Sequence, residues 1–326
     1  MRSLKISHET WPLAKALTIS RGSRHAAEIV LVEIRDGDAA GRGECMPYAH
    51  YGESVPAVIA DIEALRGAIA DGLDRAGLGS ALPPGAARNA VDCALWDLAA
   101  KQTGRPVWRL AGLGAPRPLV TAYTLGADTP DAMAAAARAN AWRPFLKLKL
   151  TGHGDIGRVE AVRNAAPDTK LIVDANEGWS PDLVEPFSTE LARLNVVMIE
   201  QPLPASADAM LADCAHRVPI CADESCHASD SLDLLAQRYD MINIKLDKTG
   251  GLTEALALRD GARARGLAVM VGCMVATSLA MAPAMLVAQG AEIVDLDGPL
   301  LLASDRPNGL HYDGSTVSPP EPALWG

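Results

Sequence analysis

Seven polar residues recur along this chain at a nearly constant interval, and their types are those of metal binding and proton transfer. They are Thr124, Lys149, Asp174, Glu200, Asp223, Lys245 and Asp295. Steps from Thr124 to Lys245 are 25, 25, 26, 23 and 22 residues; the last, of 50, spans two intervals with an apolar segment between. Asp174, Glu200 and Asp223 are consecutive in the series. Carboxylates brought side by side need a cation among them, and hard oxygen ligands suit Mg2+, or Mn2+ in its place, with positions left for substrate. An acid can instead cap a following helix. That accounts for one such residue better than for three, in the settings Asp174-Ala175-Asn176, Glu200-Gln201-Pro202 and Ala222-Asp223-Glu224-Ser225. Glu224 is a rival ligand, but as the neighbour of Asp223 on a strand it is expected on the opposite face.

Lys147 and Lys149 stand at i and i+2 and share a face, as do Asp295 and Asp297. Lys245 completes the cationic set, whereas Lys248 is expected to be exposed in the loop before Gly250-Gly251. Two acids pointing inward at Asp295 and Asp297 need an opposite charge, from a barrel lysine or arginine or from a cation on the substrate; the substrate is the preferred source.

The elements that must position these residues are short apolar strands alternating with Ala-rich helices. The strands are read as 119–124, 145–150, 170–174, 196–200, 218–223, 241–245, 267–271 and 292–297. Near-continuous apolar runs suit parallel strands covered on both faces, and a βα repeat of this length closes into a (β/α)8-type barrel with its site at the strand ends. In a ring of eight, Lys149 on the second strand faces Lys245 on the sixth. A carbon held between them can lose a proton on one face and regain one on the other. A proton α to a carboxylate is very weakly acidic, so a divalent cation must take up the charge of the anion formed. The lysine acting as base must lose its own proton near neutral pH, with Lys147 and the metal lowering its pKa by like-charge repulsion.

The first hundred residues follow another pattern. Strands are expected at 4–10, 28–35 and 39–45, with a hairpin turn at Asp36-Gly37-Asp38. A helix is expected after Ser54 as N-cap and a second one through Ala87, Val91, Leu95 and Leu98. The chain therefore divides into an α+β domain at 1–117, a barrel at 118–300 and a tail at 301–326 that returns to the first domain.

The net charge is −10, which argues against nucleic acid or an anionic membrane as partner. No run of about 18 apolar residues and no secretory signal is visible, so a cytoplasmic location is expected. Six scattered cysteines read as reduced thiols, and Cys221, Cys226 and His227 match no common zinc spacing.

These motifs resemble those of the enolase superfamily, within it the muconate-lactonizing subgroup. The signatures are Lys147-Leu148-Lys149, Asp174-Ala175-Asn176-Glu177-Gly178-Trp179, Ile199-Glu200-Gln201-Pro202, Ala222-Asp223-Glu224-Ser225 and Asn243-Ile244-Lys245. The general use of a lysine or histidine base with Mg2+ in this superfamily is a known pattern. The resemblance implies a modified (β/α)7β TIM barrel of the α/β class with an N-terminal α+β capping domain. Asp295-Leu296-Asp297, together with Ile19-Ser20-Arg21-Gly22-Ser23-Arg24, Tyr51-Gly52-Glu53-Ser54 and Gly272-Cys273-Met274, further resembles dipeptide epimerases of the L-Ala-D/L-Glu type. That implies Lys149 and Lys245 as the acid/base pair and Asp174, Glu200 and Asp223 as ligands of one Mg2+. It implies Asp295 and Asp297 as receivers of the dipeptide ammonium, Lys147 and Thr124 as substrate contacts, and the backbone of Cys273 near the ammonium end. A capping-loop arginine would read the glutamate carboxylate, Arg24 in preference to Arg21. The expected activity is 1,1-proton transfer at the α-carbon of a dipeptide's C-terminal residue, in murein peptide recycling, by an enzyme that can form a symmetric homo-oligomer. The alternatives are o-succinylbenzoate synthesis, N-acylamino acid racemisation or cycloisomerisation, and outside enzymes a metal- or peptide-binding barrel.

Overall fold

The structure is a computed structural model that describes residues 1–326. Its first sheet is antiparallel, β1 (Ser3–Ile19), β2 (Gly22–Asp36) and β3 (Ala39–Cys45) in that order. The first two strands run well beyond the expected 4–10 and 28–35. Alternation is lost along Ala14–Arg24, where neither face is buried, yet pairing continues from Leu17↔Arg24 to Ile19↔Gly22 after an irregularity between Pro12 and Leu17. The result is a long hairpin whose tip, Ser20-Arg21, projects away from its own sheet.

Helix Ala86–Thr103 lies flat on β3, and the sequence makes room for it. Gly41 and Gly43 share a face, and a Cβ on either would come within 2.2 Å of a helix carbonyl, that of Ala94 or Ala90. Ala90 and Ala94 are themselves fully buried. Backbone cannot yield as a side-chain tip can, so Gly43→Ala is expected to destabilise the chain by about 3 kcal/mol or more, measured as a lowered urea midpoint at unchanged slope. The Ser54 side chain caps the first helix, accepting from Ala57 N–H at 3.3 Å, but that helix breaks at Leu65 into Val55–Ala64 and Arg66–Ala70.

The second sheet holds eight parallel strands in sequence order: β5 (Tyr123–Leu125), β6 (Phe145–Lys149), β7 (Lys170–Asp174), β8 (Val196–Glu200), β9 (Ile220–Ala222), β10 (Met241–Ile244), β11 (Ala268–Val271) and β12 (Ile293–Val294). The ring closes where Ala122 N–H donates to the Val294 carbonyl at 2.8 Å and Leu296 N–H to Thr121 Oγ1 at 2.8 Å. The expected strand 119–124 is in fact two: β4 (Leu119–Val120) leaves the ring to pair with a C-terminal hairpin, β13 (Tyr312–Asp313) and β14 (Thr316–Val317). After β8 the crossover is a 3-10 stretch, Ala205–Ala212, rather than an Ala-rich helix. The chain end reaches the antiparallel domain, with the Trp325 indole donating to Cys93 O and Arg42 donating to the carbonyls of Ala323 and Leu324.

Inside the ring the inward residues form layers. Ala122, Ile172, Met198, Cys221, Met241, Met270 and Ile293 make an apolar plug. Two residues further on, within the strands or one position past their ends, stand Thr124, Asp174, Glu200, Asp223, Asn243, Gly272 and Asp295. Period-two geometry thus stacks a polar layer on an apolar floor at the C-terminal mouth. Cys221 belongs to the floor, buried among apolar side chains.

Candidate active site

Every acid of the polar layer meets a lysine. Lys149 Nζ lies 2.5 Å from Asp174 Oδ2, and Lys245 Nζ 2.6 Å from Asp223 Oδ2. Lys147 is only 2 % exposed and touches Asp295 Oδ2 at 2.8 Å, Glu200 Oε2 at 2.7 Å and Asp174 Oδ2 at 3.2 Å. Register explains the grouping, since Lys149 pairs with Asp174 and Asp174 with Glu200 across β6, β7 and β8. Asn243 Nδ2 donates to Glu200 Oε1 at 2.8 Å, and Gly272 leaves it the space, because a Cβ there would lie 2.7 Å from Asn243 Oδ1.

The charges follow. Burial would raise the carboxyl of Asp174, but Lys149 and Lys147 outweigh it and hold its pKa down at about 2. Glu200, pushed by burial and by Asp174, rises to about 7. Burial disfavours the ammonium of Lys245, yet Asp223 and Glu200 outweigh that and hold its pKa above the ordinary lysine value, with Lys147 opposing them. Lys147 thus acts in the expected sense but is outweighed by the carboxylates. The carboxylates that hold the proton on are the ones a divalent cation would engage.

The donor set fits such a cation. It is all oxygen, it comes from three neighbouring strand ends, and Glu200 Oε2 is buried without a hydrogen bond although Lys147 stands beside it. As placed, the carboxylates do not converge on one point, each being turned onto an ammonium.

Two residues depart from expectation. Lys248 is buried, not exposed: the turn Leu246–Thr249 is helical, so a residue three past Lys245 comes back over the mouth. Its Nζ reaches Asp223 Oδ1 at 2.7 Å and Asn243 O at 2.9 Å. Glu224 does not face away from Asp223. β9 ends at Ala222, so strand alternation no longer applies, and Glu224 lines the same cavity, with burial and then Asp223 pushing its pKa up to about 7. Gln201, at φ +34°, ties the two strand ends together by accepting from Asp223 N–H at 2.8 Å and Ser225 N–H at 3.2 Å.

The capping hairpin and the segment Ala49–Tyr51 roof the mouth. Lys149, Lys245, Asp223 and Glu224 share one cavity with Arg21, Arg24, Tyr48, Tyr51 and Cys273, of about 80 Å3. Arg21 is fully engaged, with Glu224 Oε1 at 2.7 Å, Tyr48 OH at 3.0 Å and Asn176 O at 3.0 Å. Arg24 stacks over the Tyr48 ring, 4.6 Å from its centroid, and makes no ion pair. Thr124, Lys147, Asp295 and Asp297 do not border that cavity. Thr124 lines a larger one, about 400 Å3, between β1 and the helix Pro130–Ala139. Asp295 takes its counter-charge from Lys147, contrary to the preferred substrate source. Asp297 has no cation, accepts from Thr124 N–H at 2.7 Å, and is pushed up to about 7 by burial and by Asp295.

An eight-stranded parallel barrel with acids and lysines at its mouth, roofed by an antiparallel cap, defines a class of enzyme built around charge stabilisation. The chain belongs to the enolase superfamily: residues 131–321 match the model described as "Enolase C-terminal domain-like", and residues 1–112 the "Mandelate racemase / muconate lactonizing enzyme, N-terminal domain". Among curated relatives it is similar to the L-Ala-D/L-Glu epimerase of Escherichia coli (strain K12), 47% identical over 96% of this chain and 98% of the relative. It is also similar to the N-acetyl-D-glutamate racemase of Pseudoalteromonas sp, 45% identical over 91% of this chain and 95% of the relative. Among solved structures it matches an enolase family member from Agrobacterium tumefaciens with homology to dipeptide epimerases, bound to sodium and L-Ala-L-Glu with an ordered loop. That match has a TM-score of 0.98 and 54% identity and covers 100% of both chains. No helix is long and apolar enough to cross a membrane.

Proposed function

We propose that this chain is a Mg2+-dependent dipeptide epimerase in which Lys149 and Lys245 carry the α-proton of the C-terminal residue between the two faces of that carbon. The observation that carries the reading is the placement of these lysines. They stand four strands apart on the ring, line one cavity, and each pairs with a different acid of the set Asp174, Glu200, Asp223. Those three acids would hold the metal, whose charge offsets that of the substrate carboxylate as its α-carbon is deprotonated. On one face a lysine amine takes the proton; on the other an ammonium gives one, and the roles exchange with direction.

Arg24 is the cavity's one cation without an acid partner, and we assign it the side-chain carboxylate of a C-terminal glutamate. Asp297, buried without a cation, and Asp295, shared with Lys147, receive the N-terminal ammonium; Thr124 fixes Asp297, and Cys273 offers its backbone beside them. The substrate on this reading is L-Ala-L-Glu or L-Ala-D-Glu, from murein peptides recycled in the cytoplasm. The direct test is incubation with L-Ala-L-Glu and Mg2+ in D2O, followed by NMR. Loss of the α-proton signal of glutamate and growth of the diastereomer are expected; no exchange across a panel of L-Ala-X dipeptides excludes the reading. Arg24→Met is expected to raise KM for L-Ala-L-Glu about 10- to 100-fold, as loss of a charge-assisted pair does, and to leave L-Ala-L-Leu nearly unchanged.

The Lys147–Asp295 pair favours a second reading, racemisation of an N-acylglutamate, because it leaves less negative charge for a substrate ammonium. The similarity to an N-acetyl-D-glutamate racemase points the same way. Asp297→Asn separates the two: a dipeptide loses turnover, an N-acyl substrate does not.

A further inference from the structure

A cavity of about 80 Å3 is smaller than the several hundred Å3 usual for a ligand site. The roof therefore leaves less room over the lysines than a dipeptide fills, so where the hairpin tip and the Ala49–Tyr51 segment stand decides how much of the site substrate can use. The Arg21–Glu224 pair holds the hairpin tip alone, whereas one side chain reaches both segments. Glu177 Oε2 accepts from Arg21 Nη1 of the hairpin tip at 3.2 Å and stands 2.7 Å from His50 Nε2 of the second segment. Its Oε1 accepts from Ala205 N–H at 2.8 Å, beyond β8. The residue beside it, Asn176, takes Ser20 Oγ at 2.7 Å and Arg21 Nη1 at 3.0 Å on its carbonyl.

The backbone is bent to make this possible. Asn176 and Glu177 adopt φ of +44° and +65°, left-handed values that cost energy for any residue but glycine and are least unfavourable for asparagine. Glycine would be the easier residue at 177, but it would reach neither roof element. The turn starts two residues after Asp174, so the segment that presents a candidate metal ligand also presents the clasp.

We infer that Glu177 is a positioning residue: it clasps both roof elements to the barrel and thereby sets where Arg24, Tyr48 and Tyr51 stand relative to the lysines. It does not line the cavity that holds Lys149 and Lys245. The consequence for turnover rests on the epimerase reading above; the clasp itself does not. Removing it leaves the chemistry of the strand ends in place and weakens the binding geometry, which shows in KM before kcat.

Two variants test it. Glu177→Gln keeps the length and removes the charge; Glu177→Asn is too short to reach His50 or Arg21 and is tolerated at positive φ. Amide hydrogen exchange of the full-length protein is expected to quicken at residues 18–24 and 48–52 in both, most in the asparagine variant, with the barrel strands unchanged. For L-Ala-L-Glu, KM is expected to rise about 10- to 100-fold, the scale on which a misplaced binding group acts, while kcat falls by much less. Mn2+ affinity, followed by electron paramagnetic resonance, is expected to stay within about threefold. Unchanged exchange in both segments overturns the clasp, and so does a fall in kcat with KM unchanged. Should the wild-type chain epimerise nothing, the exchange comparison still decides the clasp and the functional reading alone fails.

Discussion

Lys149→Ala and Lys245→Ala are each expected to lower epimerisation by about 10^4-fold, the upper range for loss of a positioned acid or base. The reason lies in the ring. Lys149 stands on β6 and Lys245 on β10, with four strand steps between them, so neither can reach the face served by the other. Each variant is therefore expected to retain α-proton exchange in D2O with one diastereomer only, and the two variants with opposite ones. NMR on L-Ala-L-Glu and L-Ala-D-Glu separately reads this out. Exchange of both diastereomers in either variant removes that lysine from the mechanism. Each substitution takes one of two ammoniums from a buried acid, Asp174 or Asp223, so circular dichroism of both variants should be recorded beside the kinetics.

Glu200→Gln is the second large effect. The change keeps the shape, and the amide oxygen can still accept from Asn243. It removes one charge from the candidate metal set, and turnover is expected to fall by about 10^3-fold, the scale of one lost electrostatic stabiliser in a water-excluded site. Mn2+ affinity is expected to fall with it, and chelation of the wild-type enzyme to abolish exchange reversibly. Full turnover in Glu200→Gln with undiminished Mn2+ binding removes Glu200 from the ligand set. Asp223 is a poorer choice for this experiment, since it also holds Lys245 and Lys248 and its loss leaves two buried ammoniums without that carboxylate.

Several features were legible in the residues because they follow from periodicity alone. A strand presents alternate residues to one side, so Lys147 and Lys149, both inside β6, were bound to share a face, whereas β12 ends at Val294 and the rule does not reach Asp295 and Asp297. The interval of about 25 residues implied a strand and its crossover, and hence a ring with one residue of interest per strand end. The same rule failed where the strand stopped. Glu224 follows the last residue of β9 by two, so its direction is set by the turn and not by the pleat. Lys248 was misread for a similar reason: the four-residue helix after β10 carries it back over Asp223, and its spacing of three from Lys245 was the available signal.

The roof was the least legible part. Nothing in Ile19 to Arg24 is apolar enough, or alternates enough, to say that β1 and β2 continue to a tip over a barrel more than a hundred residues away in sequence. That placement rests on Arg21 reaching Glu224 and on Ser20 and Arg21 reaching the carbonyl of Asn176, contacts between distant segments that local pattern does not encode.

By itself the sequence determined the parallel strands of the ring and their order, and placed the residues of interest within one position of the strand ends, because apolar runs, turn residues and period two act over a few positions at a time. Only the tertiary structure decided which charges meet. Lys147 is shared among three acids, Arg21 is spent on Glu224 while Arg24 stays free, and Asp295 finds a lysine inside the protein. Each of these depends on distances between strand ends and loops that no spacing along the chain can fix.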